Sequence, residues 1–579
     1  MDLALGGLRL LLVLALCYAA GAGLFAERST RTEAGLTAVW FTAGMILLSF
    51  FFLLSKVVGV TLVFSLALPA LVAGLLLFRR PDLGVRAEHG AGEWGLPLAL
   101  ILLGAAPVLI MGARMGAGAY PAEFFARDTP FFMQQVYALL RTESYPPPSL
   151  ETYGFSFKYH YGFQAFAALA SLMTGLKPHF VMFAVVHPLL EVLAGIVVYD
   201  LCRRLTGQRG AALACLFLVL LGSRQYFYSY YLLDPSWWRF LTHEENFNFR
   251  FPNGPDAAGL LIALCALRCV LEFERRNMRL AALFFTCALP LFKIPYLIPV
   301  GLGIGLIYAY ELWKRYRGHL LAEICGAGLL SALLYFVFSR NPGADGGTAI
   351  FQLGGFVAMA MPWDNETLLI LSAVIATTAA VTRHAPSGLV GKVLFFVAAP
   401  YLVFSVWRLE IENEYQIFTL AVRLVALFMA VYLAAALLRE GPHRRYRRAA
   451  FAALLVVLTA PGLVSLFNHV YIVAAHPERG HEYVNNRAIA DALVRIPLQG
   501  TLIATNDVRY PANDYARDYR QFQLAGIFGH RNSAPIWCTA ASVKKPETAT
   551  PALRACFSCR TGPRRRPPAR RARSASRTC

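Results

Sequence analysis

Charged side chains are scarce in this chain: Asp, Glu, Lys and Arg make up 15% of its 579 residues, against roughly a quarter in ordinary soluble domains. With 57% hydrophobic residues and a mean hydropathy of +0.51, a string of soluble domains is excluded. Cysteine sets no framework. Of eleven, four (Cys538, Cys556, Cys559, Cys579) sit in the last 42 residues. Most of the others, such as Cys17, Cys202, Cys215, Cys265 and Cys287, fall inside apolar runs, where a thiol is an ordinary small side chain. No glycine-rich phosphate loop is present, so no nucleotide cofactor is expected; GLGIG (301–305) lies within an apolar run and reads as helix packing. HEENF (243–247) lacks the second histidine of a zinc-protease helix, and CFSC (556–559) is a CxxC without partners. The first apolar run, Leu8–Leu24, has no cleavable signal and reads as a span, with a signal-anchor as the alternative.

What fills the chain instead is a succession of apolar stretches of roughly 18–22 residues, each able to cross a hydrocarbon core of about 30 Å. The expected fold is an all-α polytopic membrane protein. Basic clusters at Arg79/Arg80/Arg86, Arg203/Arg204/Arg209, Arg275/Arg276/Arg279, Lys314/Arg315/Arg317, Arg383/Lys392 and Arg439–Arg448 are assigned to the cytoplasm by the positive-inside rule. The outward connections are then 113–179, 224–255, the turn at Lys293–Pro295, 339–364, 408–416 and everything after about 475. About 14 crossings satisfy this scheme, with both termini outside. The segment 161–176 resembles a span, but it is short, and counting it as one would invert every later loop. It is therefore expected to lie at, or dip into, the outer interface; a true crossing balanced by a missed one is the alternative.

Three regions follow: a transmembrane domain over 1–474, a small outward α/β element over 475–537, and a tail over 538–579. The tail is rich in Arg and Pro, lacks periodicity and is expected not to pack. It reads like a GC-rich gene translated out of frame, which would leave the outward element truncated near Trp537. It also carries +10 of the net +20 charge, so the spans and loops show no nucleic-acid footprint.

The candidate chemistry clusters on the first large loop. In ARDTPFF (126–132), Arg127 and Asp128 interrupt the apolar sequence just before TPFFMQQVYALLR. There Phe132, Val136, Leu139 and Leu140 share one helical face, with Gln134, Gln135 and Arg141 elsewhere, as in an interfacial amphipathic helix. Asp128 suits an N-cap; a carboxylate fixed there also suits a general base or a divalent-cation ligand. Further on, YGFSFKYHYG (153–162) alternates aromatics with Lys158 and His160, which an extended chain would set about 7 Å apart, a spacing fit for a phosphate. An aromatic belt with snorkelling polar groups explains the same pattern. The second loop offers Arg250 and Asp256, the latter a plausible helix cap. Lys293 sits on a short turn between spans, and the acids of RLEIENEYQ (408–416) read as a solvated run.

Taken together, ARDTPFF, PPP…KYHYGFQAFAALASLMTGL, DLCRRLTGQRGAALACLFLVLLGS and NGPDAAGLLIALCALRCVLEFERR…LPLFKIP resemble integral-membrane glycosyltransferases of the GT-C class. The likeness is closest to bacterial relatives of protein mannosyltransferases and aminoarabinose transferases, and to multi-span membrane proteins carrying YHYG; it covers about 100–300. It implies an essential loop acid matched by Asp128, a Pro-Asp opening a later span matched by Asp256, and a lysine closing the next matched by Lys293. The chain departs from the pattern in three extra spans before the loop and in a single acid at the motif, Glu123 being the nearby substitute. The implied donor is a sugar on a polyprenyl phosphate, transferred to a glycan, lipid or protein at the outer face of a bacterial cytoplasmic membrane. Asp128 would serve as base or metal ligand, and Lys158, His160, Arg250 and Lys293, beside Arg127, would steady the departing phosphate. A lipid-linked-glycan transporter or flippase and a non-catalytic assembly protein are the alternatives. A transporter is expected to bury charge within spans and to show repeats, whereas here the charges read as lying in loops.

Overall fold

The computed structural model describes residues 3–25, 34–60, 91–116, 129–147, 158–221, 254–315, 317–340 and 444–475, short pieces at 350–351, 407–408, 502–503 and 531–532, and isolated helical positions between 392 and 431. The tail 538–579, most of the second loop (224–253) and nearly all of 475–537 lie outside them. Helix dominates what is described. The exceptions are an antiparallel pair, Ile350–Phe351 with Trp407–Arg408, and a parallel pair, Leu502–Ile503 with Arg531–Asn532.

Helix α1 (Leu3–Phe25) and α2 (Ala34–Val58) form a close antiparallel hairpin. A Cβ on Gly21 would sit 1.7 Å from the Trp40 carbonyl oxygen, and one on Gly44 1.7 Å from that of Cys17, so only glycine permits this approach. Small residues at the contact are how helices associate where lipid removes the hydrophobic drive. Next come α3 (Ala91–Gly104) and α4 (Ala106–Gly116), bent by 64° at their junction, then α5 (Thr129–Arg141) and α6 (Gly162–Thr174). The long α7 (Pro178–Thr206) contains a π-helical turn, Val181–Val186, directly before His187–Pro188. A proline inside a helix clashes with the carbonyl four residues back and donates no N–H; the wider π turn relieves both. The remaining helices are α8 (Arg209–Leu221), α9 (Gly254–Val270), α10 (Arg276–Phe292), α11 (Ile294–Lys314), α12 (Gly318–Ser339, ending in a π turn) and α13 (Arg444–Ala475).

Five of these, α1, α2, α7, α11 and α12, are long and apolar enough to cross a membrane, six if the bent α3–α4 pair is one span. Their outward faces suit lipid rather than water: on α12, Leu329 is 74% and Leu333 56% exposed, and on α1, Leu11 and Leu12 are similarly bare. The chain is thus a helical protein with several helices fit to span a bilayer.

Chain direction sorts the charges into two ends. At one end α7 stops and α9 passes into α10. There Arg268 of α9 is bonded to Asp200 of α7 and to Glu272 at 2.8 Å, while Arg204 reaches Glu272 at 2.9 Å and Arg275 at 2.7 Å completes the cluster. Burial pushes the Glu272 carboxyl up, but the Arg268 and Arg204 guanidiniums outweigh that and hold it below the usual carboxylate range. Gly35, at the start of α2, packs against the Asp200 carboxyl, and the Phe25 carbonyl at the end of α1 accepts from Asn277. This arginine-rich end therefore gathers the finish of α1 and the start of α2.

The opposite end carries α5 and α6. A Cβ on Gly162 would strike Phe292 at the close of α10, Gly254 at the start of α9 meets the Phe163 ring, and Leu176 meets Gly6 near the start of α1. Both ends of the 13-residue α6 thus touch one end of the bundle; the helix lies across it and does not traverse it. The amphipathic expectation for α5 needs correction. Gln134 and Gln135 are 3% exposed, as buried as Phe132 and Val136, because α6 packs where solvent was expected.

Candidate functional site

A charge cluster is buried at the α5–α6 end of the bundle. The chain breaks between α10 and α11 at one residue, Lys293, whose backbone is extended (φ −159°, ψ 88°) with Pro290 before it and Pro295 after. Two prolines that cannot supply helical N–H groups account for the break. Gly259, one turn beyond Asp256 on α9, allows the break to come close: a Cβ there would lie 2.6 Å from that of Lys293. Asp256 thereby meets the first turn of α11. Its Oδ1 accepts a 2.7 Å hydrogen bond from the Tyr296 hydroxyl, and Lys293 Nζ stands 3.8 Å from the same oxygen.

The other oxygen, Oδ2, takes a 2.7 Å bond from Arg423 Nη1. Arg423 belongs to a helical stretch of which Leu420, Leu424, Leu427, Ala430 and Val431 are also described, all buried, at the three- and four-residue spacing of one helix face. All four members of the cluster are buried. The helix-cap reading of Asp256 therefore gives way: it lies inside the first turn of α9 and spends its carboxylate on an ion network. Lys293, on the turn between the two helices, is likewise buried.

His160 is the third expected residue brought here. It is buried, its ring stacks on Tyr159 at 3.7 Å, and its Nε2 has no hydrogen-bond partner among the described residues. Burial first, and the nearby Lys293 charge second, hold its pKa well below the ordinary imidazole value, so the ring is neutral. Lys158 does not join it. Its Nζ donates to the Phe336 carbonyl at 3.2 Å, and the Tyr145 hydroxyl donates to that of Phe338. These carbonyls belong to the last turn of α12, where helical acceptors run out of partners. Lys158 and Tyr145 satisfy them and strap the loop to that helix end, so Lys158 is engaged at α12 while His160 is buried.

Glu123, Arg127, Asp128 and Arg250 lie outside the described residues; Asp128 immediately precedes α5 in sequence. Sequence reasoning also missed several residues. Arg423 is a lone cation in an apolar run, itself a signal. On α7, His187 Nε2 stands 3.1 Å from Glu191 Oε1, close but off the hydrogen-bond line, and both side chains are buried; the Arg423 charge reaches Glu191. Charge is thus buried inside the bundle, which corrects the expectation that it lies in loops. Between α5 and α6, Gln164 Nε2 donates to Gln135 Oε1 at 2.7 Å. No group of three or more His, Cys, Asp or Glu side chains fit to hold a metal occurs among the described residues.

The class these features define is a helical protein with several helices long and apolar enough to cross a membrane and a buried polar cluster at one end. Neither protein-family models nor curated proteins return a match to the chain.

Proposed function

We propose that the chain is a glycosyltransferase of the GT-C type that moves a sugar from a polyprenyl phosphate to an acceptor on the outer face of a bacterial cytoplasmic membrane. The observation that carries this reading is that two buried cations, Lys293 and Arg423, meet at the carboxylate of Asp256 beside a neutral His160. Buried cations gathered at the end of an apolar bundle suit a phosphate whose lipid tail stays in the bilayer. In this reading Asp128, just upstream of α5, takes the proton of the acceptor hydroxyl or ligates a divalent cation. Both termini and the α5–α6 end face outward across about 14 crossings.

One observation favours the transporter or flippase reading: ionisable groups buried within spans, such as Glu191 and His187, are typical of substrate or proton pathways. The test is Asp128→Asn in proteoliposomes holding lipid-linked sugar and acceptor. The substitution keeps most capping ability, so normal expression with transfer down at least about 100-fold is expected of a lost general base. Full transfer by the variant overturns the base role. Lipid translocation without any transfer, by either protein, supports the transporter.

A further inference from the structure

Two amides joined by one hydrogen bond, buried between α5 and α6, hold an unused donor and an unused acceptor. Gln164 donates to Gln135, after which Gln135 Nε2 and Gln164 Oε1 have no hydrogen-bond partner among the described residues. Both side chains are almost wholly buried, 3% and 0% exposed. Reversing either amide alone would set two donors or two acceptors face to face. Reversing both restores one bond and again leaves one donor and one acceptor. The unmet pair is therefore a property of the two residues and not of how their amides are oriented.

An unmet polar group so deeply buried costs about 1–3 kcal/mol, and nearby positions along α5 and α6, Phe132, Val136, Phe163 and Leu169, are apolar and buried. His160, four residues before Gln164, adds a further polar atom, Nε2, without a hydrogen-bond partner among the described residues. A spare donor and a spare acceptor on two hydrogen-bonded amides match hydroxyl groups, which both donate and accept; no net charge is offered by the pair, so an ion is the wrong ligand. Through His160 and the Phe163–Gly254 contact, this group adjoins the Lys293–Asp256–Arg423 cluster.

We infer that Gln135 and Gln164 form a binding subsite for the hydroxyl groups of a neutral polyhydroxylated moiety, a sugar ring, next to the cationic cluster. The inference deepens the transferase reading and rests on it for the identity of the sugar's carrier. The phosphate would lie at the cations and the ring against the amides, so one ligand spans both.

The test uses the full chain in amphipol. Replacing both amides by methionine removes donor and acceptor together, a change that is near neutral for folding when shape is kept. Mass spectrometry of lipid co-purified with wild type and with Gln135→Met/Gln164→Met gives the ratio of sugar-bearing to bare polyprenyl phosphate. The double variant is expected to lower this ratio at least tenfold; an unchanged ratio overturns the inference. A second measurement needs no variant. Octyl glucoside and octyl mannoside, below micelle-forming concentration, are expected to slow backbone hydrogen exchange in 132–141 and 162–171 at least threefold, and octanol is not. Equal effects of octanol and the glycosides overturn the subsite. Glycoside protection without any polyprenyl phosphate in wild type supports the subsite while refuting the transferase reading.

Discussion

The Asp256→Asn substitution keeps an acceptor for the Tyr296 hydroxyl but deletes the negative charge that Arg423 and Lys293 share. At separations of 2.7 Å and 3.8 Å and an effective dielectric of about 20, the gross attractions are about 6 and about 4 kcal/mol. Most of this offsets the cost of dehydrating the three charges. What a single deletion exposes is the penalty of stranding the partner, about 3–5 kcal/mol for a buried pair. Here two buried cations lose the same partner at once, so the upper part of that range, about 4–5 kcal/mol, is expected. Adding Arg423→Gln removes one stranded cation, and the double variant should recover about 2 kcal/mol relative to the sum of the single losses. The assay is unfolding free energy in mixed micelles, measured at all four corners of the cycle by tryptophan fluorescence. A loss below about 0.5 kcal/mol for Asp256→Asn, or strictly additive losses, would refute a buried ion network here.

Two further outcomes follow from the packing and the charges. Gly21→Ala should destabilise the α1–α2 hairpin by about 1–3 kcal/mol through overpacking, while Gly7→Ala, where a Cβ meets nothing within 4 Å, should be neutral or stabilising; equal thermal midpoints would sink the close-contact account. His160 binds protons less well folded than unfolded. Its contribution is therefore present above about pH 6.5 and is lost as pH falls below that value, by up to about 1.4 kcal/mol per pH unit. Thermal midpoints from pH 5 to 8 should fall less steeply with acid in His160→Gln than in wild type; parallel curves would place His160 in solvent.

The long apolar helices, five or six fit to span among the described residues, were legible because a long uncharged apolar window leaves few alternatives to a membrane helix. The unusual segment 161–176 was legible from loop charge and length, and the contacts of Gly162 and Leu176 agree that it lies across one end of the bundle. Asp256, Lys293 and His160 stood out as charge or imidazole in apolar surroundings, yet their mutual contact did not, since Asp256 and Arg423 are 167 positions apart. Pairing across such distances is set by how helices pack, about which periodicity is silent. The same limit explains α5. A helical pattern says which face is polar, but not whether water or another helix meets it, and Gln135 meets Gln164.

The claim on which the functional reading turns is that the end bearing α5, α6 and the buried cations faces away from the cytosol. Ser144, exposed just after α5, and Glu274, exposed at the arginine-rich end, mark the two sides. Single-cysteine variants Ser144→Cys and Glu274→Cys, in a background with all eleven native cysteines replaced by serine or alanine, are treated in intact cells with a membrane-impermeant maleimide. Labelling of position 144 in intact cells, and of 274 only after permeabilisation, is the predicted result; the reverse pattern would contradict the account.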